Sequence, residues 1–301
     1  LGSAAVVLDI EEKGRKYRFW FSGDIGRFGL PLLKDPVLPE KVDYLMMECT
    51  YGNKPHDDPQ AAFTEFRDVI LRTVDRGGKV IIPAFAVGRT QELVLELNEM
   101  TQRKELPPIP VYVDSPLAVN ATEVFKKHPE CFDEETWQFV KEARHPALDY
   151  DQLTYTHSVD ESKALNDRKG PMIIISASGM AENGRILHHL RNNIEDSRNT
   201  IMIVSWQAPY TLGRRLADRE KRVRIFGEEF NRRADVATIG GLSSHAGHDL
   251  LQRYALNCKG QTQKIILVHG EPPAANGLME SLKHAGAPEI VYPAMRDIVD
   301  I

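Results

Sequence analysis

The sequence predicts an α/β chain built on largely parallel sheet, in which an outer, discontinuous domain is interrupted by an α/β insert. Three observations predict it. Strand-length apolar runs, such as Lys79–Pro83, Met172–Ser176 and Thr200–Ser205, alternate with segments whose apolar residues recur at helical spacing. Those runs are apolar at successive rather than alternate positions, as strands covered on both faces require. Residues that follow the runs are repeatedly small, acidic or imidazole-bearing, the composition of a sheet edge that carries chemistry.

Each element has its own signal. Residues 4–10 and 17–23 read as strands joined by the charged, glycine-containing turn Glu11-Glu12-Lys13-Gly14-Arg15, and 43–48 is a third strand. Asp58-Pro59 then caps a helix carrying Phe63, Phe66, Ile70 and Val74, which Gly77-Gly78 stops. After the strand 79–83, Gly88-Arg89-Thr90 opens a helix with Leu93, Val94, Leu97 and Met100, and 110–114 is the next strand. Residues 120–165 are polar and helical in character. Beyond them come strands at 172–176, 200–205, 223–226, 236–239, 264–268 and 290–292, with helices near 184–195, 212–219, from 249 and near 274–285.

Composition narrows the classes. Of 301 residues, 42% are hydrophobic and 27% charged, an ordinary globular balance that excludes disordered and fibrous chains. No apolar stretch approaches the roughly 18 residues of a membrane span. The three cysteines, Cys49, Cys131 and Cys258, are odd in number and widely spaced, so neither a disulfide framework nor a cysteine zinc knuckle is expected, and a cytoplasmic setting is. A net charge of −5 argues against coating of nucleic acid by bulk electrostatics, while leaving a local basic groove open.

Several strand-end residues could carry chemistry. Asp24, after Phe19-Trp20-Phe21, is either a turn aspartate or a carboxylate able to bridge two cations. His269 ends Ile265-Ile266-Leu267-Val268, and His245 follows two serines; a neutral imidazole suits zinc and a protonated one a general acid. Glu48, taken alone, is a capping or solvated carboxylate. Gly88-Arg89-Thr90, and Ser178-Gly179 with Gly184-Arg185, set backbone N–H groups and an arginine at helix starts, positions that cap a helix or favour phosphate oxygens. Eight basic residues against four acidic ones between 210 and 233 form either a solvated face or a groove wall for a polyanion.

Seven segments, in order, resemble one family: Leu1-Gly2-Ser3-Ala4, Ser22-Gly23-Asp24, Glu48-Cys49-Thr50-Tyr51-Gly52-Asn53, Pro83-Ala84-Phe85-Ala86-Val87-Gly88-Arg89, Ser176-Ala177-Ser178-Gly179-Met180 with Gly184-Arg185, Ser243-Ser244-His245 and Val268-His269-Gly270-Glu271. They resemble the β-CASP nucleases of the metallo-β-lactamase fold, a group that includes bacterial RNase J and the endonuclease subunit of the eukaryotic cleavage-and-polyadenylation machinery. The resemblance implies the C-terminal portion of a metallo-β-lactamase αββα sandwich with an inserted β-CASP domain containing a mainly parallel sheet. The expected partition is 1–50 and 235–301 for the metallo-β-lactamase domain and 51–234 for the insert.

Roles follow from the resemblance position by position. Asp24 matches the carboxylate that bridges two zinc ions, and His269 the histidine that completes the second zinc site. His245 matches the histidine that protonates the leaving oxygen, and Glu48 the carboxylate that orients it. A histidine at 269 resembles the RNA-acting branch of the family. Arg89, Ser178, Gly179 and Arg185 are expected to meet RNA phosphates in the cleft between domains. Zinc-dependent hydrolysis of RNA phosphodiesters, in processing or decay, is the implied activity, with RNA as partner, no membrane, and a homodimer as a further expectation.

Two departures stand out. Gly247 occupies the place, two residues after His245, where the family often has an aspartate. The family's His-x-His-x-Asp-His motif, and a histidine expected just before Leu1, are not among these residues. The expectation is therefore that the first part of the metal domain lies upstream of Leu1 and that the chain alone is inactive. The rival expectations are a catalytically inactive RNA-binding homologue and a hydrolase of small esters on the same fold.

Overall fold

The computed structural model describes residues 1–55, 58–143 and 146–301. In chain order the elements are β1 (Val6–Glu12), β2 (Arg15–Phe21), β3 (Tyr44–Glu48), α1 (Pro59–Asp75), β4 (Lys79–Pro83), α2 (Arg89–Gln102), β5 (Val111–Val113) and α3 (Pro116–Lys127). They continue with α4 (Glu134–Ala143), β6 (Leu153–Tyr155), α5 (Val159–Asp167), β7 (Met172–Ser176), α6 (Ile186–Asn193), β8 (Thr200–Ile203) and α7 (Leu212–Ala217). The last are β9 (Arg222–Ile225), β10 (Glu228–Asn231), β11 (Asp235–Thr238), α8 (His248–Leu256), β12 (Lys264–Val268), α9 (Pro272–His284) and β13 (Glu289–Val291). Among the described residues no helix is long and apolar enough to cross a membrane.

The chain divides into two compact units. The first comprises Leu1–Leu30, Asp35–His56 and Ser244–Ile301; the second comprises Pro31–Lys34 and Asp57–Ser243. The outer unit is thus discontinuous, but the return expected at 235 comes later. Residues 235–238 form β11, which pairs in parallel with β8 through Asp235↔Thr200 to Thr238↔Ile203 and belongs to the sheet of the insert. A strand hydrogen-bonded to that sheet cannot open the other unit.

In the first unit a five-stranded sheet runs β1-β2-β3-β12-β13. Only β1 and β2 are antiparallel, paired from Val6↔Phe21 to Glu12↔Arg15. Their turn is tighter than the five residues expected: Lys13 (φ 50°) and Gly14 (φ 78°) alone make it. The type I′ form of a two-residue hairpin takes positive φ at both central positions, and Gly14 takes one of them without steric cost. Strands β2, β3, β12 and β13 are mutually parallel, so their carboxyl ends lie along one edge. Leu45, Met47, Ile265 and Leu267 pack with Leu251 and Tyr254 of α8 and with Leu278 and Leu282 of α9. The Trp20 indole N–H donates to the Tyr254 hydroxyl at 2.8 Å, which allows both amphipathic rings to be buried.

The second unit holds a six-stranded parallel sheet, ordered β11-β8-β4-β7-β5-β6, and a separate β9–β10 hairpin. Alternate residues of β4, β7 and β8 enter two cores. Val80, Ile82, Ile173, Ile175 and Met202 pack with Phe66 and Ile70 of α1 and Leu93 and Leu97 of α2. Ile81, Ile174, Ile201 and Ile203 pack with Ile186 and Leu190 of α6 and Leu216 of α7. Burial on both faces explains the uniformly apolar runs. The short β6 was not separable from its polar, helical surroundings because only Leu153 of its three residues is buried.

One carboxylate ties the insert together. Asp114, fully buried after β5, accepts from Ser162 Oγ (2.6 Å), Arg185 Nη1 (2.7 Å), the Thr156 hydroxyl and His189 Nε2 (2.6 Å). Burial alone would push its carboxyl up, but the hydrogen bonds from His189, Ser162, Thr156 and Arg185 outweigh burial and hold it well below the usual carboxylate range. A carboxylate depressed in the folded state stabilises it fully above the unfolded pKa of about 4, and that stabilisation is lost as pH falls toward the folded value. Asp114→Asn should therefore lower unfolding stability by roughly 3 kcal/mol at pH 7. It should also flatten the loss of stability below about pH 4. Urea titrations followed by circular dichroism at pH 7 and pH 3 check both; an unchanged midpoint at pH 7 would refute this role.

Candidate active site

The parallel order of β2, β3 and β12 brings three strand ends side by side. Phe21 pairs with Met46 and Glu48 with Val268, so Ser22–Asp24, Glu48–Thr50 and His269 emerge at the same sheet edge. A fourth segment joins them through an isolated antiparallel bridge, Gly26↔His245. Its hydrogen bonds are Ala246 N to Ile25 O (2.8 Å) and Arg27 N to Ser244 O (3.2 Å).

Glu48 is the buried centre of this edge, 1% exposed. Its Oε1 accepts from Ile25 N at 2.6 Å and its Oε2 from Thr50 N at 3.3 Å. His245 Nδ1 lies 2.9 Å from Oε1 and 3.1 Å from Oε2. Burial works against protonation of His245, but the hydrogen bond and charge of Glu48, with the charge of Asp24, raise its pKa above the ordinary value. The imidazole is thus held by Glu48, and Gly247, two residues on, serves as the N-cap of α8.

Asp24 and His269 are the exposed members, each side chain 60% accessible, with Asp24 Oδ1 and His269 Nδ1 3.5 Å apart. His269 has φ 50°, a left-handed conformation that histidine adopts more readily than most residues. Its carbonyl fixes that conformation by accepting from Cys49 N (3.3 Å) and Thr50 Oγ1 (3.1 Å). Gly270 follows of necessity: a Cβ there would sit 2.6 Å from Cys49 Sγ and 2.7 Å from Cys49 O. Cys49 itself supplies no thiolate, because burial and the charge of Glu48 push its pKa up to about 12.

Among the described residues, Asp24, His245 and His269 each offer one ligand atom, all within 4.8 Å of one another. A carboxylate and an imidazole, Asp24 and His269, are donors of the kind zinc takes, and the His245 imidazole stands within reach beside them, its Nδ1 held by Glu48. The donor set therefore fits a metal ion. All four residues expected to carry chemistry, Asp24, Glu48, His245 and His269, meet here. Thr50 is the addition: its hydroxyl lies 3.3 Å from His269 Nδ1, a contact that its place two residues after Glu48 did not announce.

The expected phosphate contacts lie in the insert. Ser178 Oγ accepts from Glu182 N (3.1 Å) and Asn183 N (3.4 Å), closing its loop. Gly179 is buried against Phe85, whose ring would stand 2.8 Å from a Cβ. Arg185 is 17% exposed and bound to Asp114 and to His157 O. Arg89 is only 3% exposed, and its guanidinium lies 2.6 Å from the Glu92 carboxylate one helical turn on. The phosphate contact expected of Arg89 is therefore not presented at the surface.

Comparison with known proteins gives the same direction. A Beta-Casp domain model matches residues 90–216, and a model described as a Zn-dependent metallo-hydrolase RNA specificity domain matches 229–293. Ribonuclease TTHA0252 of Thermus thermophilus is 38% identical over 270 residues, covering 90% of this chain and 60% of that protein. An RNase J-like protein of Methanocaldococcus jannaschii is 32% identical, covering 90% of this chain and 61% of its own length. Transcription termination factor FttA of the same organism is 31% identical over the whole chain and 48% of its length. The chain thus spans about half to three-fifths of the length of these three relatives. With the α/β units, the ordered motifs and these matches together, the chain belongs to the β-CASP family of the metallo-β-lactamase fold, its inserted domain included.

Proposed function

We propose that this chain carries the acid and part of the metal site of a zinc-dependent ribonuclease that hydrolyses RNA phosphodiester bonds. The observation that supports this reading best is the buried Glu48 gripping His245 Nδ1 beside the exposed pair Asp24 and His269. Asp24 and His269 would hold zinc; when bound, the ion supplies Lewis-acid charge neutralisation and a nucleophilic water at neutral pH. His245, its Nδ1 anchored, donates a proton from Nε2 to the leaving oxygen, and Glu48 keeps the ring oriented and its cationic form stabilised. The Ser178–Gly179 loop would meet the RNA backbone from the insert, with Arg185, bound to Asp114 and His157 O, bracing it, while the buried Arg89 anchors the start of α2. The relatives named as ribonuclease and RNase J-like favour cleavage over a purely regulatory RNA-binding role, and the four assembled side chains have no use in a scaffold.

Two measurements test the assignment. In the polypeptide as its organism makes it, His245→Ala should slow cleavage of a labelled RNA by about 10²- to 10⁴-fold, the usual contribution of a general acid, with zinc content preserved. Loss of zinc in parallel with activity would make His245 a ligand and not the acid. Asp24→Ala and His269→Ala should each lower zinc occupancy measured by elemental analysis after dialysis; full occupancy in both variants would remove the metal assignment.

A further inference from the structure

The insert carries a second concentration of unusual side chains, away from the acid and metal residues in sequence. Strands β8, β4 and β7 are neighbours in its sheet and all parallel, so the loops after them leave from one edge, where ligands of open α/β sheets bind. Three large aromatic residues stand in solvent on two of these loops: Phe85 after β4, and Trp206 and Tyr210 after β8. They are 42%, 36% and 99% exposed.

The loops that hold them are not loose. Phe85 O accepts from Thr90 Oγ1 (2.7 Å) and Thr90 N (3.3 Å), and the Phe85 ring lies against the glycine at 179 in the β7 loop. Gln207 Nε2 donates to Gly179 O (3.0 Å) and Ser205 O (3.1 Å), joining the β8 loop to the β7 loop. Gly213 N donates to Met180 O at 3.0 Å, and a Cβ at 213 would strike Gln207 Oε1 at 1.7 Å, so that junction demands glycine. Thr211 Oγ1 closes the turn on Ala208 O (2.7 Å), and Leu212 N donates to Glu182 Oε1 (2.5 Å). Tyr210 sits within that turn at φ 70°, a conformation unfavourable for a bulky side chain, with its ring wholly in solvent. Interlocked loops that hold aromatic rings out of the core form a preorganised surface for flat apolar groups.

We propose that Phe85, Trp206 and Tyr210 form a stacking platform for the unpaired bases of single-stranded RNA; this rests on the ribonuclease reading above. Aromatic faces suit unpaired bases without regard to sequence, whereas bases inside a duplex already stack on each other and are out of reach. Binding by stacking also suits a chain of net charge −5, which draws little on bulk attraction to phosphate.

The test is a titration of the chain with fluorescently labelled oligouridylate in EDTA, so that no turnover occurs. Tyr210→Ala and Phe85→Ala should each weaken binding on the order of tenfold, without changing the slope of affinity against salt concentration. Tyr210→Phe should bind as wild type does. Tryptophan emission should be quenched by unlabelled oligouridylate in the wild type and not in Trp206→Phe, which still binds by anisotropy; this separates Trp206 from Trp20 and Trp137. Wild-type affinity in both alanine variants, or equal affinity for duplex RNA of the same length, overturns the platform and leaves the ribonuclease reading standing. Failure of the wild-type chain to bind any oligonucleotide overturns the platform, and RNA cleavage by the other variants' parent polypeptide then decides the ribonuclease reading separately.

Discussion

Glu48 is a carboxylate at the end of β3 with almost no access to water, and the outer unit is organised around satisfying it. An unpaired buried carboxylate costs several kcal/mol, so its oxygens must find donors inside the protein. Those it finds are Thr50 N, two residues on, and Ile25 N and His245 Nδ1, from two segments remote in sequence. Moving any of these segments strips a donor from a charge that water cannot reach. The positions of Asp24, three residues past the end of β2, and of His245 follow from that constraint. His269 follows from the alignment of β12 with β3. The site is in this sense the hydrogen-bond shell of one buried acid.

The insert repeats the device with a different outcome. Asp114 is also a buried carboxylate just after a strand, and it also binds a histidine, His189, at 2.6 Å. There the resemblance ends. His189 is fully buried, and its second ring nitrogen lies 3.0 Å from Asn166 Oδ1, so both edges of the ring are used for cohesion. His245 is 27% accessible and its ring centroid stands 5.7 Å from that of His269, beside the exposed Asp24. A carboxylate–imidazole pair is closed to solvent in one unit and open to it in the other. Access of the imidazole, rather than the presence of the carboxylate, separates the two.

Much of this was legible in the sequence because strand ends are where the chain changes character. The fully apolar runs gave away β4, β7, β8 and β12; of the outer site, His269 stands just beyond β12, Asp24 beyond β2 and Glu48 at the end of β3, while His245 lies in the loop before α8. What the linear pattern could not carry was the choice of partner. Arg185 and Arg89 both stand at helix starts, where phosphate binding is physically reasonable, yet each guanidinium is met by a carboxylate, one of them 71 residues away in sequence. Likewise, nothing local distinguishes Asp235 as the start of an insert strand from the start of the outer unit's return; the distinction lies in its pairing with Thr200. The Phe226–Gly227 turn that folds Arg222–Asn231 into a hairpin was missed for a related reason. One of its two positive-φ positions is a phenylalanine, which no turn rule favours.

The arginines bear on how such a chain holds a polyanion. The run between 210 and 233 looks strongly cationic on paper, but Arg214 pairs with Asp218, Arg215 with Glu220 and Arg222 with Glu229, while Arg232 donates to backbone carbonyls. Three of its eight cations are thereby balanced within the same few turns of chain. Exposed pairs of this kind contribute little to stability, but they do reduce the local field that would attract phosphate. For the RNA ligand proposed above, contacts that are not charge-based then add to what the remaining basic residues supply. The groups left in solvent on fixed loops at its sheet edge are aromatic rings, and a ring offers a base the same face whatever the sequence and largely whatever the salt. Buried charge in this chain sets geometry, around Glu48 and around Asp114, whereas the recognition we propose falls to rings that fixed loops hold in solvent.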